Sequence, residues 1–283
     1  MSNPVAVVTD STASLPADLV EQYHIHVVPL RVVWDGVAYR DGVDITPQDF
    51  YRRLSESKTL PTSSQPSAQD FVDVFRPLLD EGYDILTVVI SSKMSGTMSS
   101  AQQAKEMLGA DNIEIVDSLS TGMETGFHAL MAARAAAEGA SLAECKAIAE
   151  RAREHSGFLL MVPTLEFLHR GGRIGGASRW FGTMLRIKPI LEVRGGRVEP
   201  LEKVRTRRKV IQRMADIVVE RVGDQRPVRI AAVHTGAEED ARQLLEQLTT
   251  RLQPVEALIG DVSPVIGVHV GPNGVGVVYL AGM

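Results

Sequence analysis

The sequence predicts an α/β fold in two domains. Over the first 160 residues, short β-branched runs alternate with longer helical patterns, which is typical of a mainly parallel, Rossmann-like sheet. Beyond that point, glycine pairs at Gly171-Gly172, Gly175-Gly176 and Gly195-Gly196 interrupt shorter elements, which indicates a second α/β domain with a mixed sheet. We therefore assign residues 1–160 to an N-terminal domain and residues 161–283 to a C-terminal domain. Each is long enough to bury its own core.

In the first domain, the apolar runs predict strands at residues 5–9, 85–90, 113–116 and 159–162. Asp35-Gly36 lies between residues 30–34 and 37–39 and predicts a tight hairpin that decorates the main sheet. Thr46-Pro47 and Ser67 are typical N-terminal caps, so helices are expected from both positions. Apolar periodicity predicts two further helices, at 127–137 and 142–153.

In the second domain, the patterns predict a helix at 177–185 and a hairpin formed by strands 190–193 and 197–203. A helix begins at Thr206, and a strand at 230–234 precedes a helix at 237–252. Two closing strands are expected at 265–270 and 275–280.

Composition excludes several classes of protein. Thirty Lys and Arg residues against 35 Asp and Glu residues give a net charge of −5, so no attraction of the whole molecule to nucleic acid is expected. The single cysteine, Cys145, excludes an intramolecular disulfide, and the seven histidines lack metal-site spacing, so no metal is expected. A secretory signal and an apolar stretch of membrane-spanning length are both missing, which favours a cytoplasmic location.

Two hydroxyl-rich segments, residues 61–67 and 91–97, are each expected to lead into a helix and could together bind an oxyanion. Ser95 follows a buried strand, and Gly96 permits close approach of the backbone. A capping role alone would also explain Ser95. The first segment could equally be a solvated turn.

Two further features could support an anion site. In the basic run at 203–209, alternation would let Arg205 point inward while Arg207 and Arg208 form an outward patch, although such runs are usually a solvated helix face. His269 lies in an apolar segment interpreted as a strand, where a hydrogen-bonded core histidine is the simpler explanation. There is no phosphate-binding Gly-x-x-x-x-Gly-Lys-Ser/Thr loop and no Gly-x-Ser-x-Gly nucleophile motif. These residues leave the class of anion open.

Six segments in a fixed order nevertheless resemble the DegV family over essentially the full chain. They are Thr9-Asp10-Ser11, Ser63-Ser64-Gln65-Pro66-Ser67, Ser91-Ser92-Lys93-Met94-Ser95-Gly96-Thr97, Asp117-Ser118, His169-Arg170-Gly171-Gly172-Arg173-Ile174 and residues 263–271. The resemblance implies a two-domain lipid-binding protein, not an enzyme, that encloses one long-chain fatty acid such as palmitate and needs no other cofactor. In some bacterial members, a separate nucleotide-binding kinase subunit phosphorylates the bound acid to an acyl phosphate.

The resemblance also assigns residues to roles. It implies that Ser63 and Ser95 contact the carboxylate, with His269 and Arg205 assisting and Gly96 beside them. Family members usually carry Thr directly before Ser-Gln-Pro, whereas this chain has Ser63 there and Thr62 one place earlier, so either hydroxyl could make the contact. The residues assigned to docking the kinase are Arg170, Arg173, Arg207 and Arg208.

Two other functions stay open. One is a self-contained phosphotransferase, because the helix after Ser95 could hold phosphate. The other is a lipid-responsive regulatory module that docks an acidic partner through its arginines. Transient contact with a membrane during lipid exchange is compatible with the lipid-binding role.

Overall fold

The computed structural model describes residues 3–182 and 187–283. The chain forms two α/β domains, with a parallel sheet in the N-terminal part and a mixed sheet in the C-terminal part, as the sequence predicts. The strands are β1 (Val5–Asp10), β2 (His26–Val28), β3 (Arg31–Trp34), β4 (Val37–Arg40), β5 (Thr62–Ser64), β6 (Asp84–Val89), β7 (Ile113–Asp117), β8 (Ser156–Met161), β9 (Lys188–Arg194), β10 (Arg197–Val204), β11 (Val228–His234), β12 (Glu256–Asp261) and β13 (Val275–Ala281). The helices are α1 (Ala17–Gln22), α2 (Pro47–Glu56), α3 (Ala68–Asp80), α4 (Thr97–Leu108), α5 (Met123–Ala137), α6 (Leu142–His155), α7 (Glu166–Arg170), α8 (Arg207–Val222), α9 (Glu238–Leu252) and α10 (Pro264–Val270).

The N-terminal sheet has the strand order β2-β1-β6-β7, and all its pairs are parallel. Val5 pairs with Asp84 and Ile85 pairs with Ile113, so the carboxyl ends of β1, β6 and β7 lie at one edge. The loops that follow β1 and β6 therefore emerge side by side. These loops carry Thr12 and Ser95.

The C-terminal sheet has the order β10-β9-β8-β13-β11-β12. Only the β11–β12 pair is parallel, and the other pairs are antiparallel. β8 begins at Ser156 and belongs wholly to this sheet, so the boundary proposed at residue 160 falls inside a strand. We place the start of the C-terminal sheet at Ser156 and retain the exact domain limits as a proposal.

The Asp35-Gly36 hairpin forms as predicted, with φ angles of 52° and 80° at the two turn residues. It does not extend the main sheet. Instead β3 pairs with β5, which gives a separate three-stranded sheet of order β4-β3-β5. This pairing turns part of the first hydroxyl-rich segment into a strand and fixes the direction of Ser63.

Helix α5 is largely buried between the two large sheets, and α6 packs beside it with one buried face, formed by Cys145, Ala149 and Ala152. Phe127 and Leu130 of α5 pack in one cluster with Val88 of the first sheet and with Leu160 and Val278 of the second. Helices α3 and α4 cover the outer face of the first sheet, and α8 and α9 cover the outer face of the second. The sheets thus share one central core. Within residues 3–182 and 187–283, no helix is both long enough and apolar enough to cross a bilayer.

Two sequence predictions for the second domain were wrong. Residues 265–270 are not a strand but helix α10, which begins with Pro264 and is buried from Val265 to Val268. A short run of buried β-branched residues has no periodicity that separates a helix from a strand. The helix expected at 177–185 is a 3₁₀ helix over Gly175–Trp180, and Leu185 lies outside the described residues.

A tight contact fixes α5 against the turn after β1. A Cβ atom at Gly126 would lie 2.7 Å from the carbonyl oxygen of Ala13, and backbone cannot yield as a flexible side chain can. Gly126→Ala normally stabilises a helix interior, yet here we expect a loss of ~1–3 kcal/mol in the free energy of unfolding. Urea denaturation of the two proteins measures this difference. A more stable alanine variant would contradict the proposed contact.

Candidate ligand-binding site

The loops after β1 and β6 are tied together by the buried carboxyl group of Asp10. Its Oδ2 accepts a hydrogen bond from the Ile90 amide at 2.7 Å, and its Oδ1 accepts from the Thr12 amide at 2.9 Å and the Thr12 hydroxyl at 2.5 Å. Burial raises the pKa of Asp10, and these three hydrogen bonds oppose that rise. The carboxyl ends of the two strands are therefore fixed relative to each other.

A cavity of about 290 Å³ lies between this edge of the first sheet and the inner face of the second. Most of its wall is apolar, and the wall includes Met123, Phe158, Leu160, Val193, Val233 and Ile266. The ring of Phe158 packs against Gly122 and Gly276, where added Cβ atoms would lie 3.2 and 2.7 Å from ring carbons. These two glycines leave room for the aromatic ring in the cavity wall.

A polar cluster forms part of the same wall, and a hydrogen bond between Ser63 and His269 lies at its centre. Ser63 Oγ and His269 Nε2 are 2.7 Å apart although 206 positions separate them in the chain. Burial, aided by the positive charge of Arg173, lowers the pKa of His269 to about 4, so the ring is neutral at pH 7. Its Nδ1 is buried without a hydrogen-bond partner among the described residues.

Arg173 brings a positive charge to this cluster. Its Nε donates to the Met94 carbonyl at 3.0 Å, and its Nη1 donates to the Gly171 carbonyl at 2.7 Å. Gly171 in turn permits the approach of the histidine, because a Cβ atom there would lie 2.1 Å from His269 Nδ1. Arg173 thus joins the loop of Ser95 to the segment beside His269.

Ser95 lines the cavity and also supports the start of α4. Its Oγ lies 2.8 Å from Thr97 Oγ1 and accepts a hydrogen bond from the Thr97 amide at 3.3 Å. The next residue, Gly96, leaves space for Gln65, since a Cβ atom would lie 2.3 Å from Gln65 Oε1. The N-cap residue of α4 is Gly96, so Ser95 contacts the first residue of the helix without being its cap.

Thr62 and Ser63 are neighbours on β5 and point to opposite faces of the strand. Ser63 is half-buried and lines the cavity, whereas Thr62 is exposed and does not contribute to the wall. The register of β5 against β3 pairs Ser63 with Val32 and thereby sets this orientation. The Ser63 hydroxyl, rather than that of Thr62, therefore faces the cavity.

The arginines are distributed differently from their predicted roles. Arg205 is exposed and lies outside the cavity wall, whereas Arg173, assigned to docking, is the arginine in that wall within residues 3–182 and 187–283. Arg207 is half-buried; it pairs with Asp240 and donates to the Asn273 carbonyl at 3.0 Å. Arg208 and Arg170 are both exposed, and Arg170 Nη2 lies 2.6 Å from Glu166 Oε1.

Several lining residues were not selected from the sequence. Thr12, Ser14, His234 and Thr235 add polar groups to the wall. Thr12 and Ser14 follow β1, and His234 and Thr235 lie at the end of β11, so their positions at carboxyl ends of strands could have identified them. Within residues 3–182 and 187–283, no cluster of three or more His, Cys, Asp or Glu side chains suits a metal ion.

The neutral state of His269 predicts a pH effect on stability. An unfolded histidine titrates near pH 6.5, whereas the pKa of His269 in the fold is about 4. As the pH falls from about 6.5 toward 4, the histidine binds a proton in the unfolded state before it does so in the folded state. The free energy of unfolding of the wild type therefore falls relative to that of His269→Gln. Between about pH 7.5 and pH 5, we expect the wild type to lose ~2 kcal/mol against the variant in urea unfolding. A constant difference at all pH values would show that His269 titrates normally.

Comparison with known proteins identifies the family of this chain. A model of the family described as "Uncharacterised protein, DegV family" matches residues 4–282. A DegV domain-containing protein of Clostridium perfringens is 38% identical over 279 residues, which are 97% of this chain and 98% of the relative.

Solved structures agree with this match. A DegV family protein from Thermus thermophilus, whose structure is described as showing fatty acid binding, has a TM-score of 0.93 and 35% identity, covering 99% of this chain and all of the other. DegV from Bacillus subtilis, described as a fatty acid binding protein, has a TM-score of 0.90 and 34% identity, with 99% and 100% coverage. The chain belongs to the DegV family.

Proposed function

We propose that this protein binds one long-chain fatty acid, such as palmitate, with the carboxylate at Ser63 and Ser95 and the acyl chain in the apolar part of the cavity. One observation carries the proposal, namely that a single cavity combines a long apolar wall with a cluster of hydroxyl, imidazole and guanidinium groups. The similar proteins from Thermus thermophilus and Bacillus subtilis, both described as binding fatty acids, support it.

The two parts of the cavity would contribute differently to binding. A chain of ~15 methylene groups gains ~0.8 kcal/mol for each group buried, or ~12 kcal/mol before the costs of association and ordering. Removing an ionised carboxylate from water opposes this gain unless charge-assisted hydrogen bonds replace its hydration. The acyl chain thus supplies the affinity, and Ser63, Ser95 and Arg173 orient the head group.

His269 would act through Ser63. Because its ring is neutral, Nε2 can carry the proton and donate to Ser63 Oγ across 2.7 Å. The single hydrogen of the Ser63 hydroxyl is then free to point to a carboxylate oxygen. In this arrangement His269 positions the serine and does not itself contact the ligand. This role differs from direct assistance to the carboxylate, which the resemblance implied.

The bound acid would be presented to a separate nucleotide-binding kinase subunit, which phosphorylates the carboxylate to an acyl phosphate. Arg173 and Gln65 are exposed while they line the polar part of the cavity, so a head group there would be within reach of a partner. The exposed arginines, Arg170 and Arg208, are the proposed docking residues. We place this function in the cytoplasm, with transient membrane contact when lipid is exchanged. The chain would bind the acid without catalysing a reaction and would need no other cofactor.

Ligand extraction tests the binding function. Protein purified from cells and extracted with organic solvent should release about one long-chain fatty acid per chain, identified by mass spectrometry. Ser95→Ala removes a hydrogen bond to a charged group and should weaken retention by about tenfold or more. Ser99→Ala on the exposed face of α4 is the matched control and should retain lipid normally. An empty wild-type protein would refute the proposal, and unchanged retention in Ser95→Ala would remove Ser95 from the site.

Charge reversal tests presentation to a kinase. Arg170→Glu and Arg208→Glu should leave fatty acid retention unchanged and reduce acyl phosphate formation with the kinase subunit by at least ~tenfold, since each reverses a charge at the docking surface. Arg76→Glu, on the exposed side of α3, serves as the control. Coupled assays with labelled ATP measure the product. Loss of lipid binding in the charge-reversed variants, or ATP turnover by the isolated chain, would contradict the proposal that this chain binds the acid and a separate subunit phosphorylates it.

A further inference from the structure

A second cavity, of about 240 Å³, lies beside the first and has a different chemical character. The two cavities share Val193 in their walls. We call the second cavity the polar chamber; it is bounded by α5, α6, β8, β9, β13 and α8. Its wall carries three guanidinium groups and two carboxyl groups, from Arg153, Arg194, Arg221, Glu124 and Glu192. None of these residues takes part in the proposed fatty acid site.

Positive charge is in excess in the polar chamber. Glu192 is buried, and its Oε2 accepts a hydrogen bond from Arg221 Nη2 at 2.7 Å. Its Oε1 lies 3.4 Å from Arg194 Nη1, so one carboxylate forms ion pairs with two arginines. Arg153 donates to the carbonyl oxygens of Asp117 and Glu150 at 3.0 and 3.3 Å, which satisfies two of its N–H groups without neutralising its charge. Its contact with the Glu150 carboxylate is long, at 3.9 Å. The wall therefore favours an anion.

A chain of hydrogen bonds fixes which nitrogen of His128 carries a proton. The Ser156 hydroxyl donates to Glu124 Oε1 at 2.8 Å, and a hydroxyl has only one hydrogen to donate. Ser156 Oγ must then accept from His128 Nε2, which lies 2.9 Å away. Burial lowers the pKa of His128 to about 3, so the ring is neutral and Nδ1 is an acceptor.

This acceptor is unsatisfied. His128 is fully buried and lines the chamber, and its Nδ1 has no hydrogen-bond partner among the residues that the structure describes. A buried acceptor without a donor is costly. The chamber thus offers guanidinium donors for charged oxygens and also an acceptor that requires an O–H group.

We propose that the polar chamber binds hydrogen phosphate, an oxyanion that retains a hydroxyl group. The arginines bind its charged oxygens, and its hydroxyl donates to His128 Nδ1. Sulfate matches the size and charge of such an anion but carries no hydroxyl at neutral pH, so it cannot satisfy His128. Selectivity for phosphate over sulfate is the distinguishing property of this site.

The chamber adjoins the loop of Ser95, so a test must separate the two sites. The last residue of β9, Arg194, lines the chamber. In the turn that follows it, the Gly195 carbonyl accepts from Lys93 Nζ at 2.6 Å and the Gly196 carbonyl accepts from Ser91 Oγ at 3.0 Å. Phosphate at the fatty acid site would be sensitive to Ser95→Ala. Phosphate in the polar chamber would not be.

Calorimetric titration of the full chain with inorganic phosphate and with sulfate tests the proposal. At about pH 8, Glu124 is ionised because its pKa, raised by burial, is about 7. We expect phosphate to bind at least ~tenfold more tightly than sulfate, and Arg153→Gln to weaken phosphate binding by about tenfold. Arg151→Gln, an exposed arginine on the same helix, and Ser95→Ala should both bind phosphate as the wild type does.

Three results would overturn the proposal: no phosphate binding at millimolar concentration, equal affinity for sulfate, or equal weakening by Arg151→Gln and Arg153→Gln. If Arg153→Gln does not fold, Arg194→Gln removes a cation of the wall while Arg221 still pairs with Glu192, and it should weaken binding similarly.

Discussion

The buried carboxyl group of Asp10 is the constraint on which the arrangement of the site depends. Burying a carboxyl group is costly, and Asp10 offsets that cost by accepting hydrogen bonds from Thr12 and from the Ile90 amide. Those donors belong to two different loops, since Asp10 and Ile90 are 80 positions apart in the sequence. Without this carboxyl group, the buried Ile90 amide would lose this acceptor, and the loop that leads to Ser95 would lose its fixed starting point.

The layered architecture then determines where a cavity can form. Helices α5 and α6 fill the space between the two sheets with small and aromatic side chains, and their core is continuous from Val88 to Val278. The cavity lies where this filling ends, beside the first residues of α5 and the carboxyl edge of the first sheet. Gly122 and Gly276 admit the ring of Phe158 into its wall. Packing of the core and the shape of the cavity are therefore set by the same elements.

The sequence predicted the elements whose causes are local. Thr46 and Ser67 accept from the amides of Asp49 and Asp70 as N-caps should, and Asp35-Gly36 makes its turn. Short elements without periodicity were missed or wrong, among them β2, β12 and α10. The choice between Arg173 and Arg205 depended on tertiary structure, because many arginines are exposed and only contacts across the fold show which one lines the cavity.

Arg173 also bears on how the proposed site would hold a carboxylate. A free guanidinium group binds a carboxylate through two parallel hydrogen bonds, which is among the strongest of polar contacts. The Nε and Nη1 atoms of Arg173 already donate to the carbonyl oxygens of Met94 and Gly171. These contacts use two of the five N–H groups of Arg173. In the proposed complex the arginine would add its charge, and the hydroxyl groups of Ser63 and Ser95 would donate to the carboxylate. Such a head-group site would orient an anion, and the apolar wall would supply most of the affinity.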